Sequence, residues 1–463
     1  MYHRVDVDRE VGVPLLCEQG YGWTDCSQSI HLRRDRFPRW ASNVMANMFI
    51  ASIVVLSVAL MLVRPRGIPE VYWVGGGALL LVLLRLEPLK AAGNAIGKGL
   101  DVYLFLIGMM LVSELAREQG VFDWVSSVAL ENARGSSLRL FTLVYGIGTL
   151  VTIFMSNDAT AVVLTPAILT AMKKAKAAPL PHLFACALIA NAASFVLPVS
   201  NPANLVVFQH GMPALGRWLM LFGLPSILSI SATYGVTRLM FLEELGVAIR
   251  GKVEESPLTS NGKIVLWGLG MMAAILLITS AFNKDLGMPT CLAALALTAV
   301  VCGTSRKNPR GLVRGISWGT LVLVAGLFVL VDAVERIGLL RVTGAAVHWV
   351  QGCTPAVGVL ITGFVVALGN NVVNNLPLGL IAGATLQDAH VHGLLASAVL
   401  IGVDLGPNLS ITGSLATILW LIALRREGLD VSFMTFFKVG MVAMPVALVS
   451  ALGGVLLLNH LVR

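Results

Sequence analysis

The stretch Asn370–Pro377 reads Asn-Asn-Val-Val-Asn-Asn-Leu-Pro and lies between two apolar runs. A second polar stretch, Met155-Ser156-Asn157-Asp158-Ala159, interrupts an apolar region in the first half of the chain. Polar groups are costly to place at membrane depth, so they are usually kept for a pathway or a binding site. Two such interruptions at matching places predict a transporter whose site lies between two repeats.

The composition is that of a polytopic membrane protein. The chain has 463 residues, of which 56% are hydrophobic and 13% are charged, whereas soluble domains carry about 25% charged residues. This length accommodates roughly ten to twelve crossings of about 20 residues each. The net charge of +8 comes from basic residues in short loops between apolar runs, which is a topology signal and argues against a nucleic-acid partner.

The six cysteines include no CxxC pair, and neither they nor the histidines have a metal-ligand spacing. We therefore expect no metal and no cofactor. Cys186 and Cys291 fall within apolar runs and are interpreted as small core residues. Without a zinc or nucleophile constellation, an intramembrane enzyme is excluded.

The chain repeats itself. Gly108–Gly120 aligns with Gly326–Gly338, and the same spacing along the chain places Asn157 on Asn375. Asn191–Asn204 matches Asp404–Thr417 at a slightly shorter spacing. Internal repeats of this size are typical of transporters.

These features predict an all-α polytopic membrane protein with two inverted repeats, about ten transmembrane helices and two re-entrant hairpins. The apolar runs beside the two polar tips are about 13–17 residues long, short for independent crossings. We expect five spans plus one hairpin in each half. Because five is an odd number of crossings, the second half has the opposite orientation in the membrane to the first. The predicted parts are a polar tail (1–42), a first repeat (43–241, hairpin about 139–172), a connector (242–263) and a second repeat (264–463, hairpin about 355–386).

The topology places most basic loop residues on one face, which predicts a multi-pass protein of the cell inner (cytoplasmic) membrane with that face cytoplasmic and both termini outside. The tail arginines Arg33, Arg34, Arg36 and Arg39 argue against this orientation.

Two further stretches break apolar spans near the tips. Leu197–Asn204 contains two prolines, and Asp404–Ser414 contains a proline and two glycines. Proline interrupts helical hydrogen bonding, and broken helices aim their ends and amide side chains at a ligand. We expect the two breaks and the two tips to converge. The alternative is that their polar side chains only satisfy the broken backbone.

Asp158 and Asp404 are the predicted proton-coupling residues. A carboxyl group within the membrane often serves in a proton relay. The alternative is a structural aspartate that caps the N-terminus of a half-helix, where negative charge is favoured.

The motifs resemble those of the ion transporter superfamily and, within it, the arsenite efflux permeases. The resemblance is carried by Ser156–Pro166, Val199–Asn204, Asn374–Pro377 and Gly402–Trp420. It covers about residues 47–458. It implies two inverted repeats with hairpins, and efflux of arsenite and antimonite as neutral trihydroxides, driven by proton exchange or by a soluble ATPase subunit.

Carried onto this chain, the resemblance and the tip sequences give a set of predicted substrate-binding residues. They are Ser156, Asn157, Ser200, Asn201, Asn204, Asn374, Asn375, Gly413, Ser414 and Thr417. The chain departs from the family pattern at Asn191, where that pattern has aspartate, and at Asn408, where it has lysine.

A neutral trihydroxide needs hydroxyl and amide partners, and the four segments offer these without lysine, arginine or cysteine. The alternative function is a dicarboxylate or other anion symporter of the same superfamily. Asp158 disfavours it, because a negative charge would stand at a tip where an anion binds. A passive channel would not need titrating aspartates.

Overall fold

The computed structural model describes residues 39–209, 211–249, 257–305 and 308–462. Ala46–Arg463 form one compact unit. The other unit, Met1–Met45, is described only from Arg39, where the first helix begins. Most of the predicted tail 1–42, including Arg33, Arg34 and Arg36, therefore lies outside the described residues.

The described residues are helical, with a single isolated bridge between Ser136 and Ala248 and no strand. The helices before the predicted connector are α1 (Arg39–Val63), α2 (Glu70–Leu83), α3 (Leu89–Lys98), α4 (Leu100–Glu118), α5 (Val121–Asn132), α6 (Ser137–Phe154), α7 (Asn157–Ala159), α8 (Thr165–Ala175), α9 (Pro179–Ala192), α10 (Pro202–Val207) and α11 (Leu215–Met240). The later helices are α12 (Leu242–Leu245), α13 (Ser260–Ala281), α14 (Gly287–Ser305), α15 (Arg310–Gly315), α16 (Trp318–Arg336), α17 (Leu339–Gln351), α18 (Pro355–Val373), α19 (Asn375–Asp388), α20 (Leu394–Leu405), α21 (Leu415–Arg426) and α22 (Phe433–Val462).

The predicted all-α membrane fold is confirmed. Eight described helices are long and apolar enough to cross a membrane, or nine if α3 and α4, bent by 50° at their junction, count as one. These eight include α6 and α18, the first arms of the predicted hairpins. The helices α2, α9 and α20 are shorter and apolar; α9 ends shortly before the first predicted break, and α20 ends within the second.

The first arms of the two hairpins are longer than the apolar runs that predict them. α6 has 18 residues and α18 has 19. α6 gains a polar first turn because Ser136 accepts a hydrogen bond from the backbone of Arg139. α18 continues past its apolar run to Val373, where the Asn374 backbone N–H still donates to the Asn370 carbonyl. Both helices therefore extend beyond the hydrophobic pattern.

The two halves have matching helices. The starts of α4, α5, α6, α7 and α11 precede the starts of α16, α17, α18, α19 and α22 by one constant interval, the same interval that separates Gly108 from Gly326. The interval between the starts of α10 and α21 equals the one between Asn191 and Asp404. The repeats in the sequence are therefore also repeats of helices, while the division of the chain at 242–263 stays a prediction.

The halves also exchange contacts. α4 packs on α14 of the second half, and α16, the counterpart of α4, packs on α2 of the first half. A glycine permits each approach: a Cβ on Gly108 would lie 2.8 Å from the Thr290 backbone, and one on Gly326 would lie 3.3 Å from the Val74 backbone. Small residues allow such close approach of helices in membranes. The exchange is thus reciprocal between helices that occupy equivalent places in the two repeats.

Adding a methyl group at either glycine should separate these helices. We expect Gly108→Ala and Gly326→Ala each to lower the stability of the protein in detergent by about 1–3 kcal/mol, the usual cost of overpacking. Gly108→Ala should be the more severe, because its contact is the closer. The measurement is the Tm of the purified protein.

Gly453→Ala is the matched control, since a Cβ there would meet nothing within 4 Å. It should leave the Tm unchanged or raise it, because alanine is the better helix former. A Tm for Gly108→Ala equal to that of Gly453→Ala would contradict the packing described here.

Candidate functional site

The first hairpin tip is a short extended turn followed by a new helix. Ser156 and Asn157 are both buried. The Asn157 side chain accepts a hydrogen bond from the backbone of Asp158 at 2.9 Å. A π-helical turn, Thr160–Leu164, follows the tip, and such turns occur frequently at functional sites. The tip therefore combines buried polar groups with irregular backbone.

The second tip turns at Asn374, whose φ of 76° is tolerated by asparagine better than by most residues. Asn374 Nδ2 donates to the Thr412 carbonyl at 3.2 Å. The next residue, Asn375, is buried, and its Oδ1 has no hydrogen-bond partner. Neighbouring asparagines thus differ: one holds the turn, and the other presents an open oxygen.

The first break satisfies its own backbone. Asn204 Nδ2 donates to the carbonyls of Ser194, Leu197 and Pro198 at 2.8, 3.2 and 3.3 Å. The Ser194 and Pro198 carbonyls have no helical partner because the residues four positions later, Pro198 and Pro202, carry no N–H group. The Leu197 carbonyl also accepts the Ser200 backbone N–H at 3.1 Å. Ser200 accepts from the Leu197 backbone at 3.2 Å. The amide nitrogen of Asn204 therefore satisfies the broken backbone, whereas its side-chain oxygen has no hydrogen-bond partner.

The second break is held in a similar way from the second hairpin. Asn370 Nδ2 donates to the carbonyls of Gly402 and Val403, both at 2.8 Å. Gly413 lies so close to Pro407 that a Cβ would be 2.5 Å from the Pro407 Cα. The role of Gly413 in the structure is thus to allow two turns of the break to pack together.

The four segments share one local motif, an N-cap on the half-helix that follows. Ser156, Asn201, Asn374 and Ser414 accept backbone N–H groups at 3.2, 3.0, 3.5 and 3.1 Å. Serine and asparagine are preferred at such positions because their oxygens accept otherwise unpaired N–H groups. Thr417 joins the last cap, with its hydroxyl 2.9 Å from that of Ser414. The capping residues of the two tips are repeat mates, and so are those of the two breaks.

Side-chain hydrogen bonds join the first break to the first hairpin arm, the two breaks to each other, and the second tip to the second break. The connecting bonds run from Ser200 Oγ to the Ile153 carbonyl (3.0 Å), from Asn201 Nδ2 to Asp404 Oδ1 (2.8 Å) and from Asn374 Nδ2 to the Thr412 carbonyl (3.2 Å). Every predicted site residue lies in these segments or in the half-helices that follow them.

The two candidate aspartates have different surroundings. Asp404 is fully buried, with Oδ1 bonded to Asn201 and Oδ2 without a partner. Asp158 is slightly more exposed than Asp404 and lies in the first turn of α7, where a helix favours negative charge. Asp158 is therefore the better candidate for an aspartate that caps the N-terminus of a half-helix, and Asp404 is the poorer one.

Sequence reasoning missed a bond between the halves. Asn191 Nδ2 donates to Asn408 Oδ1 at 2.9 Å, and Asn408 Nδ2 donates to the Leu188 carbonyl at 3.0 Å. Both asparagines are buried. The available signal was that both residues depart from the family pattern, which does not by itself show that they pair. The two departures from the family pattern are thus partners in one contact.

The buried centre retains open hydrogen-bond acceptors. In the tips, the breaks and the helix ends that adjoin them, the described side-chain atoms that are buried and lack a hydrogen-bond partner are all oxygens. They are Asn191 Oδ1, Asn204 Oδ1, Asn370 Oδ1, Asn375 Oδ1 and Asp404 Oδ2. An amide could be flipped end for end, but the amide nitrogens of Asn204 and Asn370 donate to backbone carbonyls, which only accept. Their oxygens must therefore be the open atoms.

The residues just after α10 line two cavities of mixed polar and apolar character. Gln209, just after α10, lines one cavity of about 370 Å³ and another of about 720 Å³, and Lys98 lines both. Glu335 and Asp388 contribute carboxylates to the smaller one. Among the described residues no cluster of three or more His, Cys, Asp or Glu side chains could hold a metal ion.

Comparison with known proteins gives one family. The family model described as "Citrate transporter" matches residues 44–403. The chain is 26% identical to the arsenical pump membrane protein of Yersinia enterocolitica over 86% of this chain and 96% of that protein. It is also 26% identical to the arsenical pump membrane protein of Escherichia coli strain K12, with the same coverage. The resemblance to arsenite efflux permeases is thereby confirmed.

The fold is similar to that of a solved transporter. The YdaH transporter of Alcanivorax borkumensis, whose crystal structure is described as having an unusual topology, matches with a TM-score of 0.53 and 18% identity. The match covers 79% of this chain and 86% of that one. This likeness concerns the fold alone. Taken with the match over residues 44–403, these findings show that the chain belongs to the citrate transporter family and is a multi-pass membrane transporter.

Proposed function

We propose that the chain exports arsenite, and also antimonite, from the cytoplasm across the inner membrane in exchange for protons. One observation carries the choice of cargo: the open side-chain atoms of the described centre are oxygens, which accept hydrogen bonds. Arsenite at neutral pH is a trihydroxide with three O–H donors and no charge. A buried acceptor without a partner costs free energy, which such a cargo would recover.

The N-caps support the same cargo. At each half-helix a side-chain oxygen already takes one backbone N–H group. An anion would need such donors, and it would also meet the carboxylates of Asp158 and Asp404. Similarity to proteins named arsenical pump membrane protein adds to this proposal.

Symport of a dicarboxylate or another anion, such as the tricarboxylate citrate, is the second candidate. The matching family model is described as a citrate transporter. In addition, the four capped half-helices begin in the connected segments, and helix N-termini favour negative charge. These two observations oppose the argument from open acceptors, so the two cargoes must be compared directly.

The proposed exchange with protons rests on Asp404 Oδ2, the open oxygen of a buried carboxyl. As a carboxylate oxygen it accepts a hydrogen bond from a cargo hydroxyl; once protonated it carries its own hydrogen and becomes a donor. Proton and cargo therefore exclude each other at this atom, which is what exchange requires. The binding amides Asn157, Asn201, Asn204, Asn374 and Asn375, with Ser156, Ser200, Gly413, Ser414 and Thr417, shape the surrounding site.

The cargo is tested in everted membrane vesicles from a host that lacks its own arsenite exporter. We expect an imposed pH gradient, acidic inside, to drive radioactive arsenite into vesicles that contain the chain, and to leave citrate outside. Uptake of citrate without arsenite would establish the second candidate instead. Uptake that needs ATP and ignores the gradient would point to coupling through a soluble ATPase subunit.

Asp404→Asn tests the coupling atom. The amide keeps the shape but cannot gain or lose a proton, so the gradient-driven accumulation of arsenite should be lost while downhill flux persists. Asp158→Asn is the matched comparison, because that carboxyl is slightly more exposed and lies at a helix start. Accumulation by Asp404→Asn at the wild-type level would exclude Asp404 as the exchanging group.

Asn375→Ala tests an acceptor that has no structural bond of its own. Loss of one hydrogen bond to cargo, about 1.4 kcal/mol, should raise the KM for arsenite roughly tenfold without lowering the Tm. Asn132→Ala is the control: Asn132 is exposed and bonds only the Val128 carbonyl one turn earlier. An unchanged KM in Asn375→Ala would show that this oxygen does not bind the cargo.

A further inference from the structure

An apolar groove lies outside the polar centre, between α5, α6 and α13. Its volume is about 660 Å³, within the range of roughly 300–1,000 Å³ for small-molecule sites. Its lining is apolar throughout, and includes Trp124 and Val128 on α5 and Leu150 on α6. Polar cargo has no partner in such a groove.

Small residues on α13 form the groove. Gly270, Ala273 and Ala274 line it, and a Cβ on Gly270 would meet nothing within 4 Å. Elsewhere in this fold, helices use glycine to come into contact, as α4 does through Gly108. On this face of α13 the small residues leave a gap instead.

The groove has the length of one lipid leaflet. Along α13 its lining runs from Leu266 to Leu277. These 11 steps at 1.5 Å per residue give about 17 Å, slightly more than half of the roughly 30 Å hydrocarbon core. Lys263, Leu266, Gly270, Ala273 and Leu277 follow one another at helical spacing, so that an exposed lysine stands at one end of the apolar stripe.

The groove is continuous with the surface that faces the bilayer. Leu150 on its edge is 58% exposed, and the neighbouring Met271 and Ile278 on α13 are 64% and 58% exposed. Large apolar side chains of a membrane span with such exposure contact lipid. Lys263 at the start of α13 and Arg139 at the start of α6 are exposed, and basic residues at the membrane surface attract anionic headgroups.

We propose that this groove binds one acyl chain of an anionic phospholipid whose headgroup phosphate contacts Lys263. The chain lies along Ala273 and reaches Met155, which also lines the groove. Met155 directly precedes Ser156, the capping residue of the first tip. The lipid therefore packs against the last residue before the tip. This site is independent of the cargo.

Native mass spectrometry of the full-length protein in detergent tests the site. We expect the wild type to retain one phosphatidylglycerol molecule in preference to phosphatidylcholine. Ala273→Phe fills the groove and should lower this retention by about tenfold or more, since burial of each CH₂ group contributes about 0.8 kcal/mol. Lys263→Gln should remove the preference for phosphatidylglycerol while an acyl chain still binds.

Met271→Phe is the matched control, because Met271 is on the same helix but outside the groove lining. It should retain lipid as the wild type does. Wild-type retention by Ala273→Phe would overturn the proposal. So would a change of oligomeric state in Ala273→Phe with lipid retention intact, because the groove would then be a contact between copies.

A second measurement uses the folded wild type and does not depend on the stability of Ala273→Phe. Phosphatidylglycerol brominated on its acyl chain should quench Trp124 with saturation at one lipid per chain. The saturating quench should disappear in Trp124→Phe and persist in Trp267→Phe, whose replaced indole is 81% exposed and outside the groove lining. A quench that rises only in proportion to bulk lipid would contradict the site.

Discussion

A helix that is interrupted within a membrane must satisfy its freed backbone groups from within the protein, because hydrocarbon offers no hydrogen bonds. Asn204 and Asn370 meet this requirement by giving their amide nitrogens to the carbonyls of the two breaks. An amide has two ends, so each side chain that repairs the backbone leaves an oxygen facing elsewhere. The acceptor-rich centre is thus a direct result of the way in which the helices are broken.

The sequence predicts where the segments of the site lie in the chain, but not which role each side chain has within the site. Pro198, Pro202 and Pro407 in apolar runs mark the breaks, and the repeat that places Asn157 on Asn375 marks the tips, because both are local patterns. Which asparagines hold the backbone and which keep open oxygens depends on where each amide points. That is decided by neighbours from distant parts of the chain, so the Asn191–Asn408 bond could not be predicted from spacing.

The two aspartates illustrate the same limit. In the sequence, Asp158 and Asp404 are both carboxylates beside a break in an apolar run. In the fold, Asp404 is fully enclosed and paired through one oxygen, while Asp158 lies in the first turn of a helix and is slightly more exposed. Burial without an opposite charge is costly for a carboxylate, and only the tertiary structure shows which of the two is the more deeply buried. Sequence reasoning could name the pair but not rank it.

The exchanged helix contacts have a consequence for how such a chain could arise. Gly108 approaches a helix of the second half, and its repeat mate Gly326 approaches a helix of the first. Neither half buries its own glycine face, so each is complete only beside the other. An ancestral single-unit polypeptide would have satisfied both contacts by pairing with an identical molecule, and gene duplication followed by fusion would then have joined two subunits whose interface already existed.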